Sequence, residues 1–339
     1  MMAVSCLNIG DSQTIKANLK ESSDLTISQD SVRPFLFLGD DNFVGNIRYG
    51  KSYGEILFLF DESRRRIYSV TEAGVSLALD KLGRGPDEYI DISAFTFLAE
   101  TKELVIFERA SRSLRFYIDG AMTRKIDLDF YVNAMEAMET DRIILAKEAD
   151  YLGGCASLLS YDLSSREQKL IMSLREDQIE LFSDVSFYWA GDKMYFGVTG
   201  LTTDIYSYSD DDTLQKVASV GFFPNPLKRD YWDGEYDERK LDRMLGVAQG
   251  GNGGAALGVF FLNVSESSYS FWFATGTGIY THNLPDLSLC KIQNNHASII
   301  RHTLTSESSD PGFQPVAMWK GKYIYIGGKD QEVLLEVSL

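Results

Sequence analysis

The 339-residue sequence predicts an all-β fold, a six-bladed propeller of four-stranded antiparallel blades whose ring is closed by an N-terminal strand. Three observations carry that expectation. A strand–turn–strand unit is written twice between Ile56 and Tyr117, with Asp61 and Glu108, and likewise Ile67 and Leu114, 47 residues apart. Six third-strand starts, at Ile67, Leu114, Leu158, Ile205, Ile279 and Leu334, are separated by 47, 44, 47, 74 and 55 residues, a spacing close to that of propeller blades. The last unit ends one strand short, and a spare strand stands at 32–38.

Taken in order, residues 1–31 read as a tether, of which 7–31 are rich in Ser, Asp, Asn, Gln and Lys with room for one short strand. Residues 32–38 form the first committed strand, with Pro34 suited to an edge position. The alternating stretch 43–49 precedes the first copy of the unit. That copy runs Ile56-Leu57-Phe58-Leu59-Phe60-Asp61, Arg66-Ile67-Tyr68-Ser69-Val70 and Val75-Ser76-Leu77-Ala78-Leu79. Its second writing runs Leu104-Val105-Ile106-Phe107-Glu108, Ser113-Leu114-Arg115-Phe116-Tyr117 and Thr123 to Leu128. Between them lies the linker Gly83-Arg84-Gly85-Pro86-Asp87-Glu88-Tyr89, a tight turn that returns the chain from an outer strand to the ring axis. It is no phosphate loop, because neither a Gly-Lys-Ser/Thr nor a helix follows. Residues 32–339 are therefore a single propeller, pairing 32–38 with 333–337 to remove the open edges.

The long gap after Ile205 contains an insertion at 224–254, whose middle, 233–245, has a helical pattern: early acidic residues, then Arg239 and Arg243, an apolar side of Tyr236, Leu241, Met244 and Leu245, and Gly246 as a stop. With Trp232 and Tyr236 in an otherwise polar segment, it reads as a lid or docking element, or as a decoration.

Net charge of −16 argues against nucleic acid or an anionic membrane as a partner. Three cysteines are too few and too scattered for a disulfide framework or a zinc site; Cys155 and Cys290 read as small buried hydrophobes. Met1-Met2-Ala3-Val4-Ser5-Cys6 looks like the end of a lipoprotein signal without its basic and apolar parts, so Cys6 is a candidate lipid anchor if the native start lies upstream. Otherwise cytoplasmic residence follows.

Strand direction alternates within a blade, so the linkers between blades and the turns joining each second strand to the third share one face. That face collects the candidate ligand-binding residues Arg64, Arg84, Glu88, Arg109, Arg112, Trp232, Tyr236, Arg301 and His302. Converging guanidiniums suit a carboxylate, sulfate or phosphate; equally, they can pair with Glu62, Asp87, Glu88 and Glu108 in exposed ion pairs worth about 0–1 kcal/mol each. The expected ligand is a small anionic compound, a carbohydrate or an envelope protein, bound by a monomer. No nucleophile elbow or His-Glu-x-x-His is present, and His282, His296 and His302 lack ligand spacing, so neither catalysis nor a cofactor is expected. The alternative is a divalent-metal-dependent hydrolase or lyase with Ca²⁺ in the axial channel, for which the inner strands offer only Asn46, Glu136 and Asn263.

Residues 59–74, with Asp61, Arg66-Ile67 and Gly74, together with the 83–89 linker, resemble the NHL repeat. More closely they resemble the TolB-like six-bladed propeller lipoproteins of gut Gram-negative bacteria, whose hallmark is a Gly-Arg/Gln-Gly-Pro-Gly-Glu-Tyr linker. Here Asp87 replaces the usual glycine. The resemblance extends over roughly residues 32–128 and implies a cell-envelope location, periplasmic or outer-membrane-anchored, and a binding role. It brings no catalytic residues.

Overall fold

The computed structural model of the chain describes residues 15–18, 23–27, 32–37, 47–138, 141–148, 155–173, 185–190, 193–199, 203–223, 256–265, 268–275, 287–294, 296–304, 314–327 and 333–337. Three short strands come first, β1 (Ile15–Asn18), β2 (Ser23–Ile27) and β3 (Val32–Phe37). Sheet one is β4 (Ile47–Tyr53), β5 (Ile56–Asp61), β6 (Arg66–Thr71) and β7 (Gly74–Leu79). Sheet two is β8 (Ile92–Leu98), β9 (Glu103–Glu108), β10 (Ser113–Ile118) and β11 (Ala121–Asp127). Sheet three is β12 (Val132–Ala137), β13 (Arg142–Glu148), β14 (Cys155–Asp162) and β15 (Gln168–Ser173). Sheet four is β16 (Val185–Ala190), β17 (Lys193–Thr199), β18 (Thr203–Tyr208) and β19 (Leu214–Phe223), with β1 added outside β19. Sheet five is β20 (Ala256–Ser265), β21 (Ser268–Thr275), β22 (Leu287–Gln293) and β23 (His296–Leu304), with β2 added outside β23. Sheet six is β24 (Gln314–Trp319), β25 (Lys322–Gly327), β26 (Val333–Val337) and, from the other end of the chain, β3.

The expected closure is present: Val333 stands opposite Phe37 and Val337 opposite Val32 in an antiparallel pair. Two details depart from the sequence reading. The stretch read as a tether supplies β1, whose Ile15 faces Val220 in parallel pairing, and β2. Strands this short can be held by the open backbone edge of a finished sheet, so they need little apolar content of their own. The third strand of sheet five is β22 at Leu287–Gln293, whereas Ile279 lies outside the described residues. Ile279-Tyr280 sits in a run of Gly, Thr, Asn and Pro that lacks strand alternation over any useful length. The insertion at 224–254 also lies outside the described residues, and with it the expected helix.

The strands gather into two compact units. One holds residues 26–145, 161–167 and 303–339, and so sheets one, two and six with the start of sheet three; the other holds 1–25, 146–160 and 168–302. Within the first unit, the run Ile56-Leu57-Phe58-Leu59-Phe60 shows why β5 is apolar throughout rather than alternating. Leu57 and Leu59 pack with Val316, Ala317, Trp319 and Ile324 of sheet six, whereas Phe58 and Phe60 meet Phe97 and Phe95 of sheet two. A strand buried on both faces has no polar side to show. Sheets one and six approach so closely that a Cβ on Gly50 would lie 3.0 Å from the Ala317 methyl, besides 2.8 Å from Leu59 Cδ2 of its own sheet. The second unit has its own core of Ile205, Ala218, Val220, Cys290 and Ile292, against which Ile15 packs. Cys290 is fully buried, as expected for a small hydrophobe.

Candidate functional site

The linker between sheets one and two is built around two side chains. Tyr89 is fully buried. Its hydroxyl donates to Arg65 O at 2.7 Å and accepts from Lys81 N at 3.3 Å, while its carbonyl accepts from Gly83 N at 2.9 Å. Glu88 folds back so that one carboxylate oxygen accepts from Gly85 N at 2.6 Å. The carboxylate fills the space a side chain at 83 would need: a Cβ there would lie 2.0 Å from Glu88 Oε2. The spacing of Gly83, Gly85, Glu88 and Tyr89 is thus one interlocked turn. Asp87 is exposed and outside the left-handed region, so this position does not require the glycine usual in the resembling family.

The acid that ends the second strand has the same task in both copies. Asp61 accepts from Ser63 Oγ at 2.8 Å and Arg64 N at 3.1 Å. Glu108 accepts from Ser111 N at 2.8 Å and Ile90 N at 3.3 Å, with Arg115 Nη2 3.6 Å away. Burial opposes ionisation of Glu108, but the Ser111 hydroxyl and N–H, the Ile90 N–H and Arg115 outweigh it and lower the carboxyl pKa. The 47-residue register of the acid is therefore a turn-capping requirement.

These turns meet the linkers on one face. Arg65 donates to Ile90 O at 2.8 Å and pairs with Asp91. One repeat later, Arg109 N donates to Asp91 O at 2.9 Å, and the guanidiniums of Arg109 and Arg112 lie 4.9 and 5.8 Å from the centroid of the Tyr131 ring. Arg65 and Arg112 both hold a left-handed backbone, with φ of 55° and 50°. For a residue with a Cβ that conformation costs on the order of 1–2 kcal/mol. Tyr131 is 42 % exposed, and Leu82 and Ile90, at 53 % and 43 %, flank the first linker on the same face.

Of the residues expected to bind ligand, the structure therefore gathers Arg109 and Arg112 around Tyr131, a ring just before β12 that the sequence analysis did not single out. Arg64 is half-buried in the Asp61 turn, Arg84 is exposed on the linker, and Glu88 holds the linker together. Arg301 stands within β23, opposite Ser288, and His302 follows it, inside a strand rather than in a connecting loop. Trp232 and Tyr236 lie outside the described residues.

The inner strands of the first unit carry a second polar group. Lys51 on β4 reaches Glu136 on β12 at 2.7 Å, and both side chains are largely buried. Tyr53 shares a 3.0 Å hydrogen bond with Thr96 of β8, whose hydroxyl also accepts from Ala137 N at 2.8 Å. Burial, and then the Glu136 charge, push the Tyr53 hydroxyl well above its ordinary pKa. Glu136, the one acid expected to face the channel, thus has a cationic partner. Among the described residues no cluster of His, Cys, Asp and Glu is placed to hold a metal ion. Asn46 lies outside the described residues, and Asn263 is placed only as part of β20.

Residues 18–231 match a family described as a 6-bladed beta-propeller, DUF5128. No curated protein matches the chain. Among solved structures, a Bacteroides fragilis NCTC 9343 protein inferred to be exported superposes with a TM-score of 0.66 at 12% identity, covering 96% of this chain and 99% of that one. A member of the DUF4221 family from Bacteroides vulgatus ATCC 8482 gives a TM-score of 0.55 at 10% identity, covering 91% and 98%. At these identities the likeness is one of fold.

Proposed function

The chain belongs to the DUF5128 family of 6-bladed beta-propellers, and on that footing we propose that it is a noncatalytic binding propeller of the cell envelope. Its ligand site is the face formed by the interblade linkers and the turns joining second to third strands. The observation that carries this reading is the company kept by the arginines. Among the described residues, the exposed large hydrophobics on connecting segments are Leu82, Ile90 and Tyr131, on the same face as Arg84, Arg109 and Arg112. A mixed apolar and cationic surface on a protein of net charge −16 suits an anionic compound, an acidic carbohydrate or an envelope protein. The opposite turns are different in kind: there Lys320 is held between Glu55 and Glu72. Lys51 and Glu136, and likewise Tyr53 and Thr96, are engaged with one another on the inner strands, which favours a scaffold over a reacting centre.

The test is a thermal-shift screen of small organic acids and neutral and acidic oligosaccharides. It compares the wild type with a linker-face variant (Leu82→Ser, Ile90→Ser, Tyr131→Ser) and an opposite-face variant (Glu55→Ser, Glu72→Ser). Stabilising compounds should lose their effect only in the linker-face variant. Loss in the opposite-face variant, or chemical conversion of a stabilising compound, would sink the proposal. Fractionation of cells expressing the native gene tests the envelope location.

A further inference from the structure

The two copies of the repeat supply an internal comparison. Arg65 and Arg112 lie 47 residues apart at the same turn position, with nearly the same φ of 55° and 50°. Each points to the residue just before the next inner strand, Asp91 before β8 in one copy and Tyr131 before β12 in the other. In the first copy the guanidinium is consumed: it pairs with Asp91 and donates to Ile90 O. In the second copy an aromatic ring replaces the carboxylate. A ring attracts a guanidinium through its face but accepts none of its in-plane hydrogen bonds, so the fork of donors is left for another acceptor. No carboxylate among the described residues forms an ion pair with Arg112, and Glu108 in the same turn is directed to Ser111, Ile90 and Arg115. Arg109 adds a second guanidinium on the same ring.

We propose that Arg112, beside Arg109 and against Tyr131, is the anion subsite of this propeller, taking the carboxylate or sulfate group of its ligand where the first repeat holds Asp91. The assignment rests on the reading of the linker face as the binding surface and names the chemistry that surface recognises. Asp91 is the built-in likeness of that ligand group: it shows that an arginine in this turn, with this backbone, takes a carboxylate. Replacement of Asp by Tyr at the equivalent place converts a closed ion pair into an open site.

The experiment follows arginine Nε–H and tyrosine ring signals by NMR while citrate, inorganic sulfate or neutral maltotriose is added at constant ionic strength. Citrate and sulfate arms separate carboxylate from sulfate recognition. The Arg112 and Tyr131 signals should shift saturably with at least one anion, while the Arg65 signal, already paired, stays in place. Tyr131→Asp, which writes the first repeat's pair into the second, should abolish the shift, and Tyr131→Phe should keep it. Because Tyr131 is exposed, unchanged Arg65 signals will show that Tyr131→Asp has folded. Equal movement of Arg65 and Arg112, no saturable shift with either anion, or full binding by Tyr131→Asp would overturn the assignment. Maltotriose moving Tyr131 but not Arg112 would reject the anion subsite and leave the binding face standing. Saturable shifts confined to the opposite turns would reject both.

Discussion

Gly83→Ala should destabilise the protein only while Glu88 is present. The added Cβ would sit 2.0 Å from Glu88 Oε2 and 2.5 Å from its Cδ, and the three nearest atoms all belong to Glu88. The carboxylate must therefore swing away and give up its 2.6 Å hydrogen bond from Gly85 N. A hydrogen bond to a charged group contributes about 1.5–3 kcal/mol. Against this, replacing Gly by Ala where the backbone permits it restricts the unfolded chain and stabilises by about 0.4–1 kcal/mol. Gly83 is outside the left-handed region, so that gain applies. The expected net loss is about 1–2 kcal/mol. In a Glu88→Ala background the obstruction is gone and only the gain remains, so the sign of the effect should reverse. Urea unfolding followed through Trp319, buried in the same unit, measures all four corners of the cycle. Equal destabilisation by Gly83→Ala in both backgrounds would show that the linker is not held by the Glu88 carboxylate.

Lys51→Met should cost about 3–5 kcal/mol because it strands buried Glu136, whereas Lys51→Met with Glu136→Leu should recover most of that loss in the same unfolding assay. The depressed pKa of Glu108 gives stability that is present above its unfolded value of 4.5 and lost as pH falls through the lower folded value. The advantage of wild type over Glu108→Gln should therefore be full at pH 6 and shrink below pH 4.5; a pH-independent difference would contradict the capping role. Deleting residues 1–38 removes β3 and bares the edge of β26, so the truncated protein should aggregate in light scattering, and a stable monomer would refute the closure.

The sequence was most legible where local chemistry repeats. The third strands of sheets one to four and six contain Ile67, Leu114, Leu158, Ile205 and Leu334, as expected, because each follows a turn with strong punctuation. Sheet five escaped because β22 follows a run of glycine and threonine that carries no strand signal. The arginine-bearing turns were visible, but not what they touch. Tyr131 and Asp91 become equivalent only when register is counted from the inner strand, since the linkers before them, 128–131 and 80–91, differ in length. Lys51 was hidden for a related reason: its meaning lies in Glu136, 85 residues away, and such a pairing leaves no local trace.

The three N-terminal strands impose an order on synthesis. β1 waits for β19, β2 for β23 and β3 for β26, so each of these strands is held by one made much later. At about 5–20 residues per second, the interval between completion of β3 and arrival of β26 is roughly 15–60 seconds. Throughout it β3 lacks the partner strand it has in the finished fold, and sheet six cannot be completed by any shorter chain. A ribosome stalled before residue 333 would leave a protein with most of its sheets specified and its last seam unsewn.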